Sequence, residues 1–200
     1  MRPTTINEVL RELDRIVNLS IARDDRAGLF AYIYWRTTDQ IRRAIALHQF
    51  QDGARMERFD VAFANLYLDA YHAYQNGKPV RKVWQLAFDT ARQRKTILQH
   101  ILLGMNAHIN FDLAIAASQI SRRQPIDLLR ADFEKVNDIL ASLVNELQER
   151  ISRVSPLFFL VDWLGKDSDE ALINFSMAKA RTYSWWLAKE LWALPESALE

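Results

Sequence analysis

The chain has 200 residues, half of them hydrophobic and about a quarter charged, a balance typical of one globular domain with a sizeable core. Its 26 Lys and Arg residues almost balance its 25 Asp and Glu residues, so the net charge gives no reason to expect nucleic acid or an anionic membrane as a partner. Cysteine is absent, which excludes disulfides, thiolate zinc sites and iron–sulfur clusters within the chain and fits a cytoplasmic location.

The first residues do not resemble a signal peptide, because they lack a continuous apolar stretch and a small-residue cleavage site. No window approaches the run of about 18 apolar residues that a membrane helix needs. We therefore expect one domain over residues 1–200 that contacts neither a membrane nor nucleic acid.

Apolar residues recur at steps of three and four along the chain, which predicts helices, and no stretch alternates as a strand does. Glycines and prolines lie mostly at the breaks in this pattern. In chain order, the predicted helices cover about 6–17, 29–49, 54–76, 80–92, 95–119, 131–153, 157–164 and 169–194. The expected fold is all-α: an irregular single-domain bundle of about seven or eight helices, with a buried central helix near residues 95–119.

Local signals support several of these boundaries. Thr5 and Glu8 form a candidate capping box at the start of the first helix. Asn76 and Gly77 follow the third helix, as expected of a helix C-terminus. Thr37 and Thr38 could break the second helix.

The predicted central helix is unusually polar for a buried element. Each buried polar group without a partner costs roughly 1–3 kcal/mol, so several together need a reason. At about 100° per residue its polar side chains fall on two faces, one with His100, His108 and Asp112 and the other with Asn106 and Asn110.

The first of these faces suggests chemistry. His108 and Asp112 are four residues apart, so they could hold one metal ion, or the carboxylate could orient the imidazole for acid–base catalysis. His100 lies two turns away and could contact the same substrate, with Gly104 opening space between the histidines. Alternatively, His108 and Asp112 form a buried structural pair, and the two asparagines bond loop backbone.

Two other helices offer further candidates. Asp60 and Tyr67 share a face of the third helix, and Asp60 could complete a zinc, iron or manganese site with His108 and Asp112. The alternative places Glu57 and Asp60 on an exposed first turn. On the last helix, Arg181 could clamp an anion, or it could simply pack against an aromatic side chain.

Four stretches together are similar to a bacterial family of uncharacterised proteins, the domain of unknown function 5995. They are RFDVAFANLYLDAY, WQLAFDTAR, LQHILLGMNAHINFDLAIAAS and NFSMAKARTYSWW, and the resemblance runs from about residue 31 to about residue 187. It implies that the family signature includes Asn106, His108, Asn110 and Asp112, and also Asp60, Tyr67 and Arg181. It implies no activity.

Two functions remain open from the sequence. The first is an enzyme with a hydrolase-like His108–Asp112 pocket that acts on a small molecule and could use a divalent metal. His100, Asp60, Tyr67 and Arg181 would line this pocket, and the residues expected to bind the ligand are Tyr67, Arg181, Asn106 and Asn110. The second is a non-catalytic binding or interaction module, in which the polar cluster is structural and Trp192 and Leu194 could form a homodimer contact.

Overall fold

The structure, a computed structural model, describes residues 2–91, 93, 97–154 and 168–195, with side chains left undescribed at 97–98, 144–154 and 168–176. The helix predicted at 157–164 lies outside these residues. Within them the chain is helical and contains no strand, which confirms the all-α expectation. The α-helices are α1 (Ile6–Ala22), α2 (Ala27–Ala46), α3 (Gly53–Gln75), α4 (Lys82–Ala91), α5 (Ile97–Ala107), α6 (Leu113–Ile120), α7 (Arg130–Val154) and α8 (Ser168–Ala193).

Local chemistry explains where these helices start and stop. Thr5 accepts a hydrogen bond from the backbone N–H of Glu8, and the Glu8 side chain reaches back to the cap, which confirms the capping box on α1. The α3 helix ends before Gly77, whose φ of +67° is left-handed backbone that glycine adopts without strain. Helix α2 continues through Thr37, whose hydroxyl donates to the Ile33 carbonyl one turn earlier.

The predicted central helix is divided by a π-helical turn at His108–Asp112, between α5 and α6. Its C-cap, Leu113, donates its backbone N–H to the carbonyl of His108, five residues earlier. A π-turn of this kind lies within otherwise regular helices, often at a functional site. From residue 97 onward, the helical extent predicted for this stretch is therefore confirmed, but the prediction missed this turn.

The central segment lies between two groups of helices. Helix α1 packs against α2, α6 packs against α8, and α3 contacts both α2 and α6. One apolar cluster surrounds α6 and includes Phe133 and Trp185. A second apolar cluster contains side chains of α1, α2, α3 and α4. It is rich in aromatic residues, among them Tyr34, Tyr67 and Trp84. The π-turn lies where these clusters meet.

One stretch of the described chain, Gln99–Ile120, is long and apolar enough to cross a membrane by length and composition alone, which corrects the expectation that no window comes near this limit. Of the window concerned, 61% is buried inside the fold. The same composition is found in core helices, and α5, the π-turn and α6 occupy the core of this bundle.

Candidate functional site

A mostly apolar cavity of about 70 Å³ lies beside the π-turn. Side chains of α2, α3, α5, the π-turn, α6, α7 and α8 line it. Aliphatic, aromatic and methionine side chains form most of the wall. The polar lining residues are Tyr34, Thr37, Asp60, His108 and Arg181. The fold thus assembles three of the predicted site residues, Asp60, His108 and Arg181, around one cavity.

His108 is surrounded by aromatic rings. Its imidazole stacks on Phe63 with ring centroids 3.6 Å apart and planes inclined by 8°, and the Tyr34 ring lies 4.4 Å away. Neither ring nitrogen has a hydrogen-bond partner within the described part of the chain. Burial lowers the pKa of His108, and the nearby Asp112 carboxylate only partly opposes this shift. The imidazole is therefore neutral at pH 7 and can accept a proton.

Asp112 is fully buried next to this histidine. One carboxylate oxygen accepts a hydrogen bond from the Trp84 indole N–H at 2.8 Å, and the other accepts one from Arg81 at 3.3 Å. Its distance to His108 Nδ1 is 3.6 Å, which is longer than a hydrogen bond. Asp112 is thus anchored chiefly by Trp84 and Arg81, and it acts on His108 through its charge.

Asp60 is buried in the second turn of α3, so the alternative of an exposed first turn is wrong. Its Oδ2 atom has no hydrogen-bond partner among the described residues. Burial, helped by the negative charge of Glu57, raises the pKa of Asp60 to about 7. A carboxyl group in this state can both donate and accept a proton near neutral pH.

Arg181 enters the cavity wall from α8 and is 3% exposed. Its guanidinium donates to the Asn137 side-chain oxygen and to the Phe133 carbonyl, and it lies over the Phe133 ring. Burial lowers the pKa of Arg181 to about 9. The predicted aromatic packing is present, and Arg181 also lines the cavity.

Tyr34 belongs to the site although its sequence context gives no sign of this. Its hydroxyl is buried and has no hydrogen-bond partner within the described chain. Burial, together with the charges of Asp60 and Asp112, raises the pKa of Tyr34 well above its ordinary value. The hydroxyl therefore stays protonated and can serve as a donor at the polar side of the cavity.

His100 is not part of this site. It lines a separate, smaller cavity of about 20 Å³, and Phe30 lines both cavities. A Cβ atom on Gly104 would lie 2.5 Å from the Phe30 ring, so the space expected beside this glycine is filled by that ring. The structure therefore does not place His100 and His108 around one substrate.

The remaining candidates also lie outside the cavity lining. Asn106 is exposed and accepts a hydrogen bond from the half-buried Asn110 on the next turn. Tyr67 is fully buried, and its ring meets Phe30 edge-on at 5.1 Å. At the end of α8, the Trp192 indole N–H donates to the Ser121 carbonyl within the same chain.

Within the described residues, no group of three or more His, Asp or Glu side chains could hold a metal ion. The set predicted for zinc, iron or manganese was Asp60, His108 and Asp112. Asp112 is engaged by Trp84 and Arg81, whereas Asp60 and His108 line the cavity. The geometry thus brings these residues near the π-turn without forming a metal centre from them.

The chain belongs to a family of unknown function, DUF5995, whose model matches residues 6–200. This confirms the resemblance seen in the sequence and extends it toward both ends. No curated protein and no solved structure matches the chain.

Proposed function

We propose that this protein binds a small, largely apolar molecule in the cavity beside the π-turn and that Asp60 and His108 transfer protons to and from it. Hydrolysis of a small ester is the reaction class we favour. The observation that carries the proposal is that two buried acid–base groups without hydrogen-bond partners in the described chain line the same apolar cavity.

Unpartnered polar groups of this kind are costly to a fold. Nearly all buried polar atoms in proteins are hydrogen-bonded, and exceptions call for an explanation such as catalysis or a bound molecule. Burial also raises the pKa of Asp60 to about 7 and lowers the pKa of His108. Buried groups with perturbed pKa values in a cavity are a recognised feature of active sites.

The proposed reaction uses each group in the state that its surroundings favour. Neutral His108 removes a proton from water while the water oxygen bonds to the ester carbonyl carbon. Protonated Asp60 gives a proton to the alcohol oxygen as the carbon–oxygen bond breaks. The products are an alcohol and a carboxylic acid, and the proton held by His108 returns to Asp60 through solvent.

Binding is tested first, with methionine methyl groups as reporters. The chain has four methionines, of which Met56 and Met105 line the cavity and Met177 does not. We would record methyl NMR spectra of the 13C-methyl-methionine protein against a library of fragments with about six non-hydrogen atoms at most, because the cavity of about 70 Å³ is small. A fragment that shifts the Met56 and Met105 methyl signals more than the Met177 signal supports the proposal. If no fragment in the library does so, the proposal is refuted.

Catalysis is tested next, by turnover of small esters that bind. His108→Phe keeps an aromatic ring to stack on Phe63 but removes both nitrogens, and Asp60→Asn keeps the shape but removes the titration. Each should abolish turnover, while bound esters still shift the Met56 and Met105 methyls. His108→Ala is the less informative change, because it also leaves a cavity.

The alternative is a binding module without catalysis. It is favoured by the apolar character of the wall and by the aromatic rings that restrict the imidazole of His108. Fragment binding with no turnover of any bound ester, and with unchanged affinity in the His108→Phe protein, would establish this second function in place of the first.

A further inference from the structure

Arg181 is a buried cation for which no carboxylate partner is found in the described part of the chain. Its two hydrogen bonds go to neutral acceptors, the Asn137 side chain and the Phe133 carbonyl. Elsewhere in the protein, the buried Arg55 guanidinium is paired with Asp132 at 3.3 Å. A buried charge without a counter-ion is expensive, so its retention at the wall of a cavity needs an explanation.

Asp60 lines the same cavity but does not serve as this counter-ion. No ion pair within 4 Å joins the two side chains, although both are placed in the described chain. The first cause of the Asp60 pKa shift is burial, and the carboxyl group is partly protonated at neutral pH. The positive charge of Arg181 is thus left for a group inside the cavity.

We infer that the molecule bound in this cavity is a small apolar monocarboxylic acid, held as its anion with the carboxylate on Arg181 and the hydrocarbon part against the apolar wall. Guanidinium and carboxylate groups match in charge and geometry, and such charge-assisted bonds are stronger than neutral ones. The cavity volume of about 70 Å³ limits the size of this acid to about six non-hydrogen atoms at most.

This inference rests on the proposed function only in that the cavity must accept a small molecule. It does not require catalysis. A carboxylic acid is also what the hydrolysis of a small ester produces, so the inferred ligand and the favoured chemistry are compatible.

The test compares three probes of nearly equal size and different charge: butanoate, butanamide and butylamine. Each is titrated into the full-length protein at pH 7, and binding is followed through the Met56 and Met105 methyl signals. We expect butanoate to bind about ten- to hundredfold more tightly than butanamide, the range of a charge-assisted hydrogen bond in a buried site.

Variants of Arg181 then show whether this residue causes the preference. Arg181→Met replaces the guanidinium side chain with an unbranched apolar one and so removes the charge. Butanoate should then lose its advantage over butanamide. Arg181→Lys keeps the positive charge and should keep most of the preference for butanoate over butanamide. This variant provides a second test if the methionine variant does not fold. Arg11→Met, which removes a side chain that is 71% exposed on α1, is the matched control and should leave both affinities unchanged.

The possible results separate the two proposals. If butanamide binds as tightly as butanoate, or butylamine binds most tightly, the inferred carboxylate is wrong while small-molecule binding stands. A preference for butanoate that survives in the Arg181→Met protein also overturns the role of Arg181. If no fragment of the whole library moves the Met56 or Met105 signals, the proposed function fails and the inference fails with it.

Discussion

The buried carboxyl group of Asp60 should make the stability of this protein fall as the pH rises. Burial raises its pKa from the ordinary value of 3.8 to about 7, so between these pH values the folded chain holds a proton that the unfolded chain has released. Under that condition the free energy of unfolding decreases with increasing pH. Asp60→Asn removes the titrating group while preserving the shape of the side chain.

The size of the effect follows from the shift. A difference of about three pKa units corresponds to about 4 kcal/mol at 1.36 kcal/mol per unit, when the group is fully ionised. Side-chain movement and water entry reduce this penalty, so we expect about 2–4 kcal/mol. The variant should therefore match the wild type near pH 4 and become more stable by this amount near pH 8.

Urea unfolding of both proteins, at intervals between pH 4 and pH 8, measures the difference. The lowered pKa of His108 acts in the opposite direction, because at that residue the unfolded chain binds the extra proton. This contribution is present in both proteins, so it cancels in the difference between their free energies of unfolding. Asp138→Asn on α7, where the side chain is 70% exposed, is the control and should change stability little at any pH. A stability difference between Asp60→Asn and wild type that stays constant from pH 4 to pH 8 would refute the reasoning.

Three further substitutions test the packing around the site, each by urea unfolding. Gly104→Ala should cost about 1–3 kcal/mol although alanine favours helix, because its Cβ would lie 2.5 Å from the Phe30 ring, and Phe30→Leu in the same chain should recover part of the loss. Asp132→Ala should cost about 3–5 kcal/mol, since this carboxylate accepts two backbone N–H bonds from the loop before α3 and pairs with a buried arginine; a cost below 1 kcal/mol would contradict this. Trp84→Phe should cost about 1–3 kcal/mol by removing the indole donor to Asp112, and no change would mean that Arg81 alone satisfies that carboxylate.

The site itself was only partly predictable. His108, Asp112, Asp60 and Arg181 attract attention because charged or titratable residues lie within apolar patterns, and the structure places three of them around one cavity. Tyr34 gives no such signal, because a tyrosine within an amphipathic helix is ordinarily a core residue. Its role depends on a hydroxyl that meets no partner in the described chain, which is a property of the assembled helices.

Other predictions inferred the role of a residue only from its position on an ideal helix. His100 and His108 share a face of an ideal helix, yet the Phe30 ring fills the space beside Gly104 and lines both of the separate cavities. Asn106 and Asn110 were expected on a buried helix, but that segment is exposed along one side, and the two amides bond each other. A periodic pattern gives the direction of a side chain on its helix, but not which neighbouring helix covers it.

The sequence by itself determined the helical class, the approximate extent of the described helices, the cap on α1 and the family. These features depend on local periodicity, on capping and turn chemistry, and on motifs that lie in short stretches of chain. The π-turn, the cavity and the separation of Arg181 from any carboxylate in the described chain were decided only by tertiary structure. They depend on contacts between helices distant in sequence, where the burial of each polar group is set by partners that no local pattern specifies.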